Sequence, residues 1–283
     1  MRFVAGAPNL ERLRFVVLAP KGADPHPAFR NVHCEADRYS DYLSSMQKLR
    51  GRLYLEDGAI EASELSSDYR HIVPADHHSW HLLAVNREGE LSGFARYRPY
   101  PQTVSFNQLG VQQASLAHCD EWGHKLRSAV ESEISAAFSR NVSYSEVGGW
   151  GLTEELRCTT AAIRIALATY ALARIHGGSI SIGTATLRHC SASILARIGG
   201  RPVCFDGVEL PQYYDSQYRC MMRILRFDSE APNPRYEAWI EAIREQLIGA
   251  PVLTSTPVQI PVWANLPANI SSVSAARQQR CAW

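Results

Sequence analysis

The run "TTAAIRIALATYALARIHGG", residues 159–178, constrains this chain more than any other stretch. Only Arg164, Thr169 and Arg174 interrupt its apolar surface, so a helix here must be covered on nearly every side. Such a helix is built against a sheet and a neighbouring layer. Thr159 or Thr160 is its expected cap, and Gly177 with Gly178 its expected stop. Directly before it, "NVSYSEVGGWGL" reads as a strand carrying Gly148, Gly149 and Gly151. With 283 residues, 46% of them hydrophobic, the chain can bury the core this arrangement needs.

The other patterns supply the remaining layers. "LRFVVLAP" reads as a strand, and the segment from His33 to Ile60 as a helix that loosens at Gly51 and Gly58. "SWHLLAV" and "LSGFARYRP" flank "NREGE" as two antiparallel strands over residues 79–98, the second ended by Pro99 and Pro101. Residues 120–140 carry apolar side chains at helical spacing, with Asp120 as the expected cap. After the apolar helix come a second strand and short helix ("SISIGTAT", "LRHCSASILARIGG"), two strands within "LPQYYDSQYRCMMRILRFD", and a last helix in "NPRYEAWIEAIREQLIG". No repeat is visible. The economical organisation is one α/β domain over residues 1–249, followed by a proline-containing tail over 250–283 that is an extended arm or unstructured.

Charge narrows the partners. Lys and Arg number 29 against 28 Asp and Glu, so no global field recruits nucleic acid or an anionic membrane. Seven scattered cysteines without a CxxC pair favour reduced thiols over a disulfide framework or a zinc ribbon. No uncharged apolar stretch approaches the roughly 18 residues of a membrane span, and the N-terminus lacks a signal-peptide pattern. A cytoplasmic location is the expectation.

A strand, a glycine-rich bend and a helix N-terminus together present backbone N–H groups and the positive end of a helix dipole. That suits a phosphate or a developing oxyanion. The same glycines also make a plain β-bulge, with Thr160 merely capping a helix, and the motif alone favours that simpler reading.

The order of strand, hairpin, helix, glycine-bearing strand, apolar helix, strand, short helix and final hairpin resembles the GNAT acyltransferase fold over roughly Leu13 to Asp228. That resemblance implies an α/β (α+β) domain with a central mixed, mostly antiparallel sheet flanked by helices. It also implies a donor site at the helix start, where Arg157, Thr159, Thr160 and Ala162 fall on the positions that hold the pyrophosphate of acyl-CoA. Thr160 stands where the family has glycine, and Ala196 where many members have a tyrosine that protonates the leaving thiolate. Both departures resemble the acyl-homoserine-lactone and N-acyl amino acid synthases, which often take long acyl chains from acyl carrier protein. "GFARYRP" is similar to that subgroup's Gly-x-x-Arg-x-x-Pro strand end and aligns Arg96 with its arginine, while "SEVGGWGL" aligns Glu146 with its glutamate. "YRCMMRILRFD" resembles the last strand of the N-acyl amino acid synthases. Gly148 and Gly149 replace the subgroup's serine and arginine, which argues for an acceptor other than that of a homoserine-lactone synthase.

An α-amino group has a pKa of about 7.7–8.0, so an amine attacking a thioester needs only a weak base. Glu146 is the candidate, equally readable as an exposed strand residue or the ion-pair partner of Arg96. A main-chain N–H of Trp150, Gly151 or Leu152 is the candidate oxyanion donor. Arg96 suits an acceptor carboxylate or a structural ion pair, and Asp76 and His81 of "DHHSWH" are candidate acceptor contacts. Metal ligation by that cluster is not expected, since adjacent histidines on a strand point to opposite faces. Cys158 lacks a visible histidine and acid partner and reads as a buried or idle thiol. Arg164, Arg188, Arg197 and Arg201 are candidate contacts for an acidic carrier protein or for CoA phosphates, and equally for solvent.

The resulting expectation is an N-acyltransferase moving a fatty acyl group from acyl carrier protein or acyl-CoA to the amine of an amino acid or similar metabolite. No tightly bound cofactor is expected, and a homo-oligomer is compatible with the sequence. The alternatives are an acetyl-CoA-dependent small-molecule N-acetyltransferase and a non-catalytic module that kept the fold without the chemistry.

Overall fold

The computed structural model describes residues 13–256, apart from Arg87 and Cys158. In chain order the elements are β1 (Arg14–Leu18), β2 (Val32–Cys34), α1 (Ala36–Glu56), β3 (Trp80–Val85), β4 (Leu91–Tyr100), α2 (Gly123–Ser139) and β5 (Ser143–Leu152). There follow α3 (Ala161–Ile175), β6 (Ser179–Thr186), α4 (Ser191–Arg197), β7 (Arg201–Pro202), β8 (Cys204–Phe205), β9 (Val208–Glu209), β10 (Tyr213–Asp215), β11 (Cys220–Asp228), α5 (Glu237–Gly249) and β12 (Val252–Thr254). Short single turns fill much of the stretch between α1 and β3 and between β4 and α2.

One mixed sheet runs in the order β10-β11-β6-β5-β4-β3-β1-β12-β2, with β7 added beside β11. Its pairings are antiparallel except β5–β6, β1–β12 and β12–β2. The apolar helix α3 is buried as its sequence demands, packing with α5 over one face of β3, β4 and β5. Leu82, Ala95, Tyr97, Leu225 and Phe227 meet it from the sheet. The opposite face is covered in two places, by α1 over Leu83, Phe94 and Leu253, and by α2 over Tyr144, Ile180, Ile182 and Ile224. This is the α/β class anticipated, with the mostly antiparallel sheet.

Four local expectations change. Helix α1 continues through Gly51, because a side chain there would collide with Leu65 and with the backbone at Tyr69; the glycine lets the following loop lie against the helix. Strand β4 runs through Pro99 to Tyr100, pairing Pro99 with Ser145 beyond the Trp80 start of β3, so one edge is open where a missing N–H costs no ladder bond. Helix α2 starts at Gly123 without a side-chain cap, not at Asp120. The apolar pattern does not end at Gly249: β12 slots between β1 and β2, so residues 252–254 belong to the sheet. The remainder of the expected tail, from residue 257 onward, lies outside the described residues.

Candidate active site

The candidate site lies where β5 leaves β6. The two pair in parallel from Ser143–Ser179 to Glu146–Ile182, and beyond that both strands continue unpaired with each other. At the parting point Gly183 faces the Val147 carbonyl so closely that a Cβ would lie 2.6 Å from the oxygen. Strand β5 carries its bulge just past this point: between Phe94↔Gly151 and Arg96↔Gly148 it has one residue more than β4. Gly149 supplies the left-handed backbone the bulge needs, at φ +57°. Beyond the Val147 N–H, which the last bridge still uses, the N–H groups of β5 that point toward β6 have no ladder partner there, and Trp150 and Leu152 pack their side chains toward α3.

Helix α3 begins at the open end of this cleft. Thr159 caps it, its hydroxyl accepting from the Ala161 N–H at 3.1 Å and donating to the Leu156 carbonyl at 2.7 Å. Thr160 is exposed and makes no side-chain cap bond, which leaves its hydroxyl beside the first-turn amides. Arg157 is exposed in the preceding loop, and Ala162 lies in the first turn of the helix. Cys158 lies outside the described residues.

On the α1 face, Arg96, Arg98 and Tyr100 alternate along β4 opposite Gly148, Glu146 and Tyr144. Glu146 is buried, with its carboxylate accepting from the Val111 N–H at 2.9 Å and from the Tyr100 hydroxyl. It is thus neither exposed nor paired with Arg96. Burial and the neighbouring Glu146 charge push the Tyr100 hydroxyl well above its ordinary pKa. Arg96 has no carboxylate within ion-pairing distance among the described residues, and its buried Nε has no partner. Space opens beside it, since the nearest atom to a Cβ built on Gly148 is Arg96 Nη2 at 3.9 Å.

Asp76 and His81 lie next to this face but are not open to solvent. Asp76 has no exposed surface and is gripped by Arg50 through two bonds of 2.8 and 2.7 Å and by Gln47 at 2.9 Å. Burial alone would raise its carboxyl, but Arg50 and Gln47 outweigh it and hold the pKa at about 2. His81, the register partner of Arg96, shares a hydrogen bond of 2.8 Å between Nε2 and the Asp76 carbonyl, and burial lowers its pKa to about 4. His77 and His78 sit exposed on the turn that carries Asp76, not on a strand.

Of the arginines expected near the donor, Arg164 is buried and bonded to Gln246 of α5, and Arg188 is tied to Asp57. Only Arg197 and Arg201 of the four are exposed without an ion pair among the described residues. The sequence reading passed over Arg50, Arg98, Tyr100 and the Val111 amide. Arg98 and Tyr100 were detectable in principle, since the two-residue strand period places them on the face of Arg96.

No family model and no curated protein matches the chain. Among solved structures, the CoA-dependent acyl-homoserine lactone synthase BjaI with SAM and isopentyl-CoA superposes with a TM-score of 0.51 at 12% identity, covering 87% of this chain and 94% of the other. BjaI with MTA gives 0.51 at 13% identity over the same shares. FeeM, an N-acyl amino acid synthase from uncultured soil microbes, gives 0.42 at 12% identity over 67% of this chain and 86% of the other. The fold is therefore the GNAT-like fold of the BjaI synthase. None of the described helices is long and apolar enough to cross a membrane.

Proposed function

We propose that the protein is an N-acyltransferase that moves an acyl group from acyl-CoA, or from the phosphopantetheine of an acyl carrier protein, to the amine of an amino acid or similar small metabolite. The observation that carries this reading is the end of β5–β6 pairing at Glu146–Ile182 while both strands run on. A slot results, with the α3 N-terminus at its mouth and an unpaired guanidinium on its far face.

The donor's pyrophosphate lies at the first turn of α3, where Thr160 and the amides of Ala162 and its neighbours receive it and Arg157 adds charge. Its thioester reaches the bulge, and an N–H of residues 150–152 that is not spent on β4 holds the carbonyl oxygen as it becomes an oxyanion. The acceptor carboxylate docks on Arg96, whose guanidinium fork matches it. The neutral amine attacks the thioester carbon, a C–N bond forms, the C–S bond breaks and the sulfur leaves as a thiolate, which takes its proton from solvent. Glu146 takes the amine's proton, directly or through a water. Asp76 and His81 act by fixing the wall behind Arg96. Thr160 in place of glycine and Ala196 in place of tyrosine support a fatty acyl donor over acetyl-CoA.

Mass spectrometry of small-molecule extracts from cells making the protein, set against cells making Glu146→Gln, tests the proposal. A new N-acyl metabolite, absent with the variant, is the expected result. Identical extracts from both, with purified protein releasing no thiol from acyl-CoA or acyl carrier protein in the presence of amino acids, would overturn it.

A further inference from the structure

Arg96 and Arg98 stand apart from every other arginine among the described residues. Each of the others is ion-paired, hydrogen-bonded or exposed, as with the pairs at Arg50, Arg140, Arg174 and Arg226. Arg96 and Arg98 are half-buried and neither has a carboxylate within ion-pairing distance. They share one face of β4, two residues or about 7 Å apart, so they repel each other across a partly desolvated surface.

The carboxylates that could neutralise them are committed elsewhere. Glu146 is the register partner of Arg98, yet it is turned to the Val111 amide and the Tyr100 hydroxyl. Asp76 is taken up by Arg50 and Gln47. Arg98 lies 4.7 Å over the Tyr100 ring, and among the described residues no hydrogen bond or ion pair takes up its N–H groups. Opposite Arg96 the chain puts glycine at 148 and 149, so nothing from β5 fills the space.

From this we infer that the acceptor is an amine bearing two anionic groups, an aminodicarboxylate or a phosphorylated amino acid, with one anion on Arg96 and the second on Arg98. The inference rests on the acyltransferase reading for the amine's fate, but the two-anion recognition stands on the arginines alone. Arg96 holds the carboxylate next to the amine, beside the bulge. Arg98, one pleat further from the bulge, selects the second group.

Calorimetric titration of the full chain with glutamate and glutamine, aspartate and asparagine, and phosphoserine and serine tests this. A charge-assisted pair that only the dianion can make predicts binding about 10- to 100-fold tighter than the neutral counterpart, weakening with salt. The carboxylate and phosphate pairs decide between the two chemistries. Arg98→Gln should bring the dianion-to-neutral ratio to near one, and Arg98→Lys should keep part of it; the lysine variant also carries the test if the glutamine variant fails to fold. Dianions that bind no tighter than their counterparts, no binding of any of the six, or a ratio that survives Arg98→Gln would overturn the inference. Thiol release from acyl-CoA separates the two readings. Arg98-dependent dianion binding without turnover sinks the acyltransferase reading and leaves this one, whereas turnover with singly charged amino acids only does the reverse.

Discussion

Replacing Arg50 by methionine tests the physical account of the wall behind Arg96. The Arg50 and Asp76 side chains are 3% and 0% exposed, and the pair is bidentate. Methionine keeps most of the stem and removes the charge, leaving Asp76 with Gln47 at 2.9 Å and the Val73 N–H at 3.3 Å. A buried carboxylate stripped of its cation costs about 3–5 kcal/mol, a large share of the roughly 5–15 kcal/mol that holds a domain together. The pH dependence gives an independent sign. In the wild-type protein Asp76 is lowered from 3.8 to about 2, which contributes about 2 kcal/mol that is fully present above pH 3.8 and lost as pH falls through about 2. Without Arg50, burial is less opposed and lifts the carboxyl above 3.8, so the variant gains stability as pH falls through the raised value. Urea unfolding followed by tryptophan fluorescence at pH 7 and pH 4 should therefore show a gap between the two proteins that narrows at the lower pH. Adding Asp76→Asn to the methionine variant should recover most of the loss at pH 7. A loss below about 1 kcal/mol at pH 7, or a gap that widens toward pH 4, would refute the reasoning.

Two further outcomes follow from packing and burial. Gly183→Ala places a methyl group 2.6 Å from the Val147 carbonyl oxygen and 3.2 Å from its Cγ2, so the strands must shift where they part. Urea unfolding should show a loss of about 1–3 kcal/mol, and an unchanged midpoint would show that the parting point is not tight. His81, lowered from 6.5 to about 4 by burial first and by the Arg50 and Arg96 charges after it, stays neutral in the folded protein. Its contribution is complete above pH 6.5 and is lost as pH falls through about 4, reaching about 3 kcal/mol. An NMR titration that found the His81 ring protonating near pH 6.5 would contradict that burial.

Much of the fold was legible because it is written in local periodicity. The one-sided helices, the hairpin at residues 79–98 and the all-round apolar α3 state their type in the order of residues, and α3 alone requires layers on most sides. Strands β2 and β12 were missed because each is only three residues long and is held by partners more than 200 residues away in the other's direction, a pairing no local pattern encodes. Asp120 misled as a cap because α2 opens on a tight turn set by Gly123 against the Ala117 carbonyl.

The site divides along the same line. From the sequence alone came the residue types: a glutamate beside glycines, an arginine ending a strand, threonines at a helix start. Which of these has a partner is a matter of distance between elements, and only the tertiary structure decided it. Glu146 is satisfied by an amide from the loop at residue 111 and a hydroxyl from β4, and Asp76 by α1, so neither is left for Arg96. Arg98 was one residue among many until β4 set it on the same face as Arg96 with no anion to meet it. Local order fixes what a side chain can do, while the packing of distant segments fixes what it has left to do it with.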